Sequence, residues 1–378
     1  MAPEPRIASL DAFRGFAIAA MVLVNNPGDW SNLHAPLAHA PWHGWTFTDT
    51  VFPFFLFAAG LAMPMSLGRR AAKGADRADL LAATARRAAV LFAVGLALNF
   101  IPAFDPATVR IPGVLQRIAL CVLVAAPVVI WGGTRATLAA IAACFALYGA
   151  PMLLATVPDA WGHAARGVLE PGRDFGSFVD RALFGPHLWS RSRTWDPEGL
   201  VSTLPAVASL LFGVLASRFL VLRLGRGRKA GALAIAGGFL VIAGYALDAA
   251  FMPINKNLWT PSYAVFMAGW ALATFAAFHA LLDESTGEFR RRARALALPL
   301  TMFGMNALFL FAFSGLVARI LGAVRLEDGV TPKAALFALF KALPLSPANA
   351  SLAYAVAFTL AMLAVAAVLW RMRWFIKA

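Results

Sequence analysis

The residues best placed to do chemistry are His39-Ala40-Pro41-Trp42-His43-Gly44-Trp45-Thr46, with Asp49 just beyond them. They sit where a short polar loop runs into the apolar stretch Val51-Phe52-Pro53-Phe54. Histidine titrates near neutrality and serves as a base or a nucleophile, and a neighbouring carboxylate can orient it. Two histidines four apart also suit a metal on one helix face. Pro41 between them disfavours a regular helix, and no Cys or Glu stands at a familiar ligand spacing, so no metal is expected. The plainer readings are headgroup anchoring beside Trp42 and Trp45, and a first-turn helix acid at Asp49.

Other charged residues border apolar stretches. Asp11 and Arg14 have the i, i+3 spacing of an intrahelical pair, and Arg14 could equally hold a phosphate. In Arg110-Ile111-Pro112-Gly113-Val114-Leu115-Gln116-Arg117, Pro112 suits a first helical turn. Arg117 then lies over one turn into the membrane and requires a partner. Asp196 and Glu198 of Asp196-Pro197-Glu198-Gly199, and Lys256 of Asn255-Lys256-Asn257-Leu258-Trp259, are the outer-side counterparts in an ion-pair network. A structural ion-pair network explains these residues as well as a substrate site does.

The elements that must hold these groups are membrane helices. Of 378 residues, 60% are hydrophobic and 14% charged, with mean hydropathy +0.71, which excludes an ordinary soluble enzyme. Ten apolar blocks emerge at about 10–27, 48–68, 87–104, 112–131, 135–157, 200–220, 230–250, 261–281, 297–319 and 351–370. Each can cross a hydrocarbon core of about 30 Å as a helix. Continuous Ala/Leu/Val/Phe runs argue against a barrel. The fold class is therefore all-α, a polytopic bundle of about ten helices forming one membrane domain over 1–378. Cys121 and Cys144 lie inside blocks and suit packing rather than a disulfide. The first block lacks a signal-peptide cleavage site. Ala/Arg-heavy usage suggests a bacterium, and hence its inner membrane.

The net charge of +14 sits in connectors, as topology signals do, and does not indicate nucleic acid. One cluster is Arg69, Arg70, Lys73, Arg77, Arg86 and Arg87, and a second is Arg218, Arg223, Arg226, Arg228 and Lys229. A third is Arg290, Arg291, Arg292 and Arg294, and the last is Arg371, Arg373 and Lys377. Even numbers of crossings separate them, which places all four, and both termini, in the cytoplasm. The other face then holds 28–47, 105–111, 158–199, 251–260 and 320–350, with five of the six histidines. The 158–199 connector carries five arginines against six acidic residues, and long loops cross largely regardless of charge. A re-entrant or interfacial helix is expected near 331–344.

The motifs Ser9–Gly15, Met21–Asn25, His39–Trp42 with Gly44 and Thr46, and Asp49–Pro53 resemble those of heparan-α-glucosaminide N-acetyltransferase and its bacterial relatives. Arg110–Arg117, Asp180-Arg181, Asp196–Gly199 and Asn255–Trp259 continue the resemblance through block eight. It implies a polytopic transferase, plausibly homodimeric, that uses cytosolic acetyl-CoA to acetylate an amino sugar across the membrane. By motif, His39 is similar to the family's active-site histidine, Asn25 to a nearby asparagine and Asp196 to its Asp-Pro-Glu-Gly acid. His43 stands where the lysosomal enzyme has asparagine, and Pro41 replaces a serine. The chain also begins close to the first motif, without a large luminal extension, which favours a small amino sugar over polymeric heparan.

On this reading His39 takes the amine proton or is itself acetylated, and Asp49 or Asp196 fixes its tautomer. Asn25 donates to the oxyanion. Trp42, His43, Glu198, Asn255, Lys256, Asn257 and Trp259 would contact the acceptor. Arg14, Arg69, Arg70 and Arg117 would serve the acetyl-CoA phosphates. The competing reading is an amino-sugar permease, since Pro53 and Pro64 permit helix breaks. Against it, the sequence shows no paired interrupted helices in its two halves.

Overall fold

A computed structural model describes residues 7–225, 227–327 and 329–376. Arg226 and Lys377 of the basic clusters lie outside the described residues. The first helices are α1 (Ala8–Asn25), α2 (Phe47–Ala71), α3 (Arg77–Phe100), α4 (Val114–Trp131) and α5 (Thr134–Leu154). A two-stranded antiparallel ribbon, Thr156–Pro158 with Ala164–Arg166, and the short α6 (Phe175–Phe184) fill the long connector. There follow α7 (Thr203–Leu220), α8 (Arg228–Ala250), α9 (Pro261–His279), which runs into a π-turn at Ala280–Glu284, and α10 (Gly287–Leu296). The chain ends with α11 (Leu298–Met305), α12 (Ala307–Ala323), α13 (Pro332–Lys341) and α14 (Pro347–Arg371). Three helices start at a Ser/Thr cap followed by proline: Thr260-Pro261, Thr331-Pro332 and Ser346-Pro347. The hydroxyl accepts an orphan backbone N–H, and proline fits a position that needs no donor.

Among the described residues, nine helices are long and apolar enough to cross a membrane, matching nine of the ten blocks. Block 297–319 differs. It breaks at Asn306 into α11 and α12, which meet at 83°. Gly15 and Gly304 explain the geometry: a Cβ on Gly15 would lie 1.7 Å from the Leu300 carbonyl oxygen, and one on Gly304 1.8 Å from that of Asp11. Close backbone approach through small residues is how membrane helices gain contact where lipid supplies no hydrophobic drive. Arg14 Nε donates to Gly304 O at 2.8 Å, so a carbonyl freed at the break has a partner. Asn306 takes Ile376 N–H (2.8 Å) and donates to Trp374 O (3.1 Å), which ties the tail to the bend. The helix expected near 331–344 is α13, and its Phe337 ring lies against Gly28.

The core runs through α1, α2, α7 and α9. Gly60 and Gly213 bring α2 against α7 as Gly15 and Gly304 bring α1 against α11. This contact matters for the site, since α2 carries Asp49 at its first turn and α7 carries Ser209. At that end the connectors are woven together. Gly44 N–H reaches Ile254 O (2.7 Å), Ile111 N–H reaches His187 O (2.9 Å), and the Trp42 indole donates to Leu169 O (2.7 Å). At the opposite end Asp283 accepts the Ala8 and Ser9 N–H groups, and Glu284 accepts that of Ala230.

Candidate active site

Thr46 precedes α2, and Asp49, three residues on, accepts the Thr46 N–H at 3.0 Å, so the acid does close the helix start. The same carboxylate oxygen accepts Ala40 N–H at 3.0 Å. Its other oxygen lies 2.6 Å from His39 Nδ1. A carboxylate only accepts, so Nδ1 carries the proton and Nε2 keeps its lone pair. Tyr263 fastens this turn from α9, its hydroxyl donating to Asp49 O at 2.6 Å. The Asp49 side chain is 1% exposed and that of His39 43%, so a buried anchor holds an accessible ring.

Lys256 completes the group. Its Nζ lies 3.2 Å from His39 Nδ1 and 3.3 Å from Nε2, and 3.9 Å from Asp49 Oδ1. A point nearly equidistant from both ring nitrogens is on neither lone-pair axis. Burial pushes the Lys256 pKa down, with Asp49 and Glu198 pulling the other way. Lys256 is presented by a turn in which Asn255 is wholly buried: Asn255 Oδ1 accepts Leu258 N–H (2.9 Å) and its N–H reaches Thr260 Oγ1 (3.1 Å). Asn255 Nδ2 lies 3.2 Å from His43 Nδ1. Burial lowers the His43 pKa against the pull of Asp248 and Glu170.

Beside this group is a second, sealed one. Arg110 pairs with both Asp196 and Glu198, whose side chains are 0% and 8% exposed. Asp196 also accepts Trp189 N–H at 3.0 Å and Glu198 N–H at 2.9 Å, so its oxygens are spoken for. For Glu198, burial raises the pKa but Arg110, Arg117 and Lys256 outweigh it and hold the group below its usual range. Arg110, not Arg117, thus takes both carboxylates. Arg117 is fully buried, donates to Gly199 O (3.0 Å) and Ser202 Oγ, and lies over the Trp259 ring at 5.1 Å. Asp180 accepts Leu200 N–H (2.9 Å) and presses on Gly199, leaving no room for a Cβ there. Burial, with Asp196 and Asp174 nearby, pushes its pKa up to about 7 against the opposing Leu200 bond and Arg117.

The structure therefore brings His39, Asp49, Lys256, Asn255 and His43 together, with Trp42 edge-on to His43. Asn257 lines a cavity with Asp180, Asp196, Ser202 and Trp195. Trp259 is buried, its indole bound to Ser209 Oγ at 3.0 Å. Two expected partners stand apart. No hydrogen bond joins Asp196 to His39 among the described residues, and Asn25 ends α1 with an exposed side chain. The four arginines expected to share the acyl donor are also divided. Arg69 and Arg70 lie twenty or so residues along α2 from Asp49, about 30 Å of helix, exposed in its last turn. Arg14 is engaged with Asp11 and Gly304, while Arg117 is at the His39 end. Arg110, Tyr263 and Trp195 were not singled out by sequence. Only the first had a signal, its place in Arg110–Arg117. Among the described residues no group of His, Cys, Asp and Glu has the arrangement to hold a metal.

A family model described as heparan-alpha-glucosaminide N-acetyltransferase, catalytic, matches residues 6–179, which include His39, Asp49 and Arg117. The heparan-alpha-glucosaminide N-acetyltransferase of Homo sapiens is 26% identical over 328 aligned positions, covering 74% of this chain and 49% of that protein. Its Mus musculus counterpart is 27% identical over 327 positions, with the same coverage. The chain thus spans about half the length of the curated relatives it matches. The family match takes in His39, His43, Asp49, Arg110 and Arg117 but ends before Asp196, Glu198, Asn255 and Lys256, and the protein is an all-α, multi-pass membrane protein similar to the heparan-alpha-glucosaminide N-acetyltransferases.

Proposed function

We propose that the protein is a transmembrane acetyltransferase that moves an acetyl group from acetyl-CoA to the amine of a glucosamine-type amino sugar. The observation that carries this is the His39 imidazole, held at Nδ1 by buried Asp49 on a side chain that is 43% exposed, with Lys256 Nζ 3.3 Å from Nε2. Its relatives are N-acetyltransferases by name, which supports the reaction class.

In the reaction, the acceptor nitrogen attacks the thioester carbonyl carbon while His39 Nε2 takes the amine proton. The positive charge that develops on the ring is offset by Asp49, which keeps its own charge. Lys256 is the donor beside the ring for the oxyanion, the role that sequence alone assigned to Asn25. As the tetrahedral intermediate collapses, the C–S bond breaks and the proton passes to the departing thiolate. An N-acetyl sugar and free CoA result. The acidic pair Asp196–Glu198 positions rather than reacts: locked on Arg110, it holds the loop that borders the site.

We further propose the sidedness read from the basic clusters, with the donor arriving from the cytoplasm and His39 facing the opposite compartment of a bacterial inner membrane. Arg69 and Arg70, about a bilayer away along α2, supply positive charge on the donor's side. The test uses proteoliposomes with labelled acetyl-CoA on one face and glucosamine on the other. Labelled N-acetylglucosamine is expected from wild type and not from His39→Ala. Product that survives the substitution removes His39 from the reaction, and sugar uptake without acetylation replaces the transferase with a permease.

A further inference from the structure

Three indoles gather beside His43. Trp42 and Trp195 meet edge to face at 5.0 Å between ring centroids, and Trp195 meets Trp189 at 5.5 Å. All three are only partly buried. Trp42 spends its N–H on Leu169 O, whereas the indole N–H groups of Trp189 and Trp195 make no hydrogen bond among the described residues. Trp195 also borders the cavity that Asn257, Asp196 and Ser202 line. A large apolar face with an unspent donor, next to a polar cavity, is a surface built for something with both C–H faces and hydroxyls.

His43 adds direction. The Asn255 carboxamide has one orientation, because its Oδ1 accepts Leu258 N–H. Its Nδ2 therefore donates to His43 Nδ1, and the His43 proton is on Nε2. That nitrogen belongs to an exposed side chain edge-on to Trp42 and is presented as a donor.

Resting on the acetyltransferase reading, we infer that Trp195, flanked by Trp42 and Trp189, is the stacking platform for a pyranose ring, and that His43 Nε2–H binds one of its hydroxyls. The platform then favours a ring-shaped acceptor over an open-chain amine. Trp195 acts on binding and touches no reacting atom, so its loss raises KM and leaves kcat.

The experiment compares full-length wild type, Trp195→Ala, Trp195→Phe and His43→Ala in detergent, each with acetyl-CoA and either glucosamine or 2-aminoethanol. For Trp195→Ala we expect KM for glucosamine to rise at least tenfold with kcat within threefold. Turnover of 2-aminoethanol, which is slow in wild type, should not change. Trp195→Phe should recover most of the loss, and His43→Ala should raise KM for glucosamine several-fold. Equal losses on both amines, or no loss on either, overturn the platform while leaving the transferase intact. Failure of wild type to acetylate either amine overturns the transferase instead. In that case glucosamine quenching of tryptophan fluorescence still decides the platform: an unchanged Kd in Trp195→Ala refutes it, and a Kd weakened tenfold with unchanged Tm supports it.

Discussion

Two histidine–carboxylate pairs among the described residues, His39–Asp49 and His279–Asp283, lie at opposite ends of the bundle and are built for opposite purposes. His39 meets Asp49 at 2.6 Å with 43% of its side chain exposed, whereas His279 meets Asp283 at 3.4 Å with 10% exposed. Asp49 spends its second oxygen on the backbone of its own loop and turn, which leaves the first to orient the imidazole, with Lys256 Nζ 3.9 Å from that oxygen. Asp283 instead takes the Ala8 and Ser9 N–H groups at the start of α1, and Arg294 also reaches it. His279 is further enclosed by Ser9 Oγ (3.3 Å), Glu284 (3.8 Å) and the stacked Phe275 ring. The residue types alike, what separates a reactive pair from a structural one is which partner remains open to a substrate.

The strongest way to break that contrast is to remove each ring in turn. His39→Ala should lower acetyl transfer about 10³-fold, within the range for loss of a general base, with little change in Tm. His279→Ala should leave transfer within about twofold and lower Tm. If transfer responds to both alike, the contrast fails.

Arg110→Met sharpens it by asking whether the sealed carboxylates are structural. Stranding Asp196 and Glu198 without their cation should cost about 3–5 kcal/mol, read as lost folded yield or a lowered Tm. A well-folded variant that had lost only activity would instead move this pair into the chemistry.

Asp180 gives a smaller, pH-dependent effect. Its folded pKa is raised to about 7 from a carboxyl value near 3.8, so the folded state holds the proton more tightly than the unfolded chain. The contribution of Asp180 to stability is therefore full near pH 4, falls as pH rises through that window and is spent above pH 7. Asp180→Asn, which keeps an acceptor for Leu200 N–H, should match wild type near pH 4 and have the higher Tm at pH 8. A Tm gap that stays constant across the range would refute this.

The smallest expected effect is at Lys256. Lys256→Met should lower kcat about tenfold or more with KM for acetyl-CoA unchanged, as expected of a group acting on developing charge. A change confined to KM would make it a binding residue.

Much of the fold was legible because length and apolarity decide which segments can cross a bilayer, and neither depends on distant residues. Nine blocks became single helices, eight of them within a few residues of the expected bounds, while α3 starts at Arg77, ten residues before the block expected at 87–104. The bend at Asn306 was not legible: it depends on α1 admitting α11 at Gly15 and on the tail binding Asn306, contacts almost three hundred and about seventy residues apart. In the site, His39 and Asp49 could be paired on paper because only ten residues separate them.

The rest of the site could not be paired that way. In sequence the acids Asp196 and Glu198 were candidates for Arg117, and only packing gave them to Arg110 and Trp259 to Arg117. Lys256 reaches His39 across 217 residues, and Trp195 reaches Trp42 across the whole of α2 to α6. Sequence by itself determined the membrane bundle and the reactive loop, since local composition governs insertion and the chemical types available. Tertiary structure alone decided which charge neutralises which, and so which imidazole stays free to react, because Coulomb and hydrogen-bond energies fall off within a few ångströms and chain order does not specify those distances.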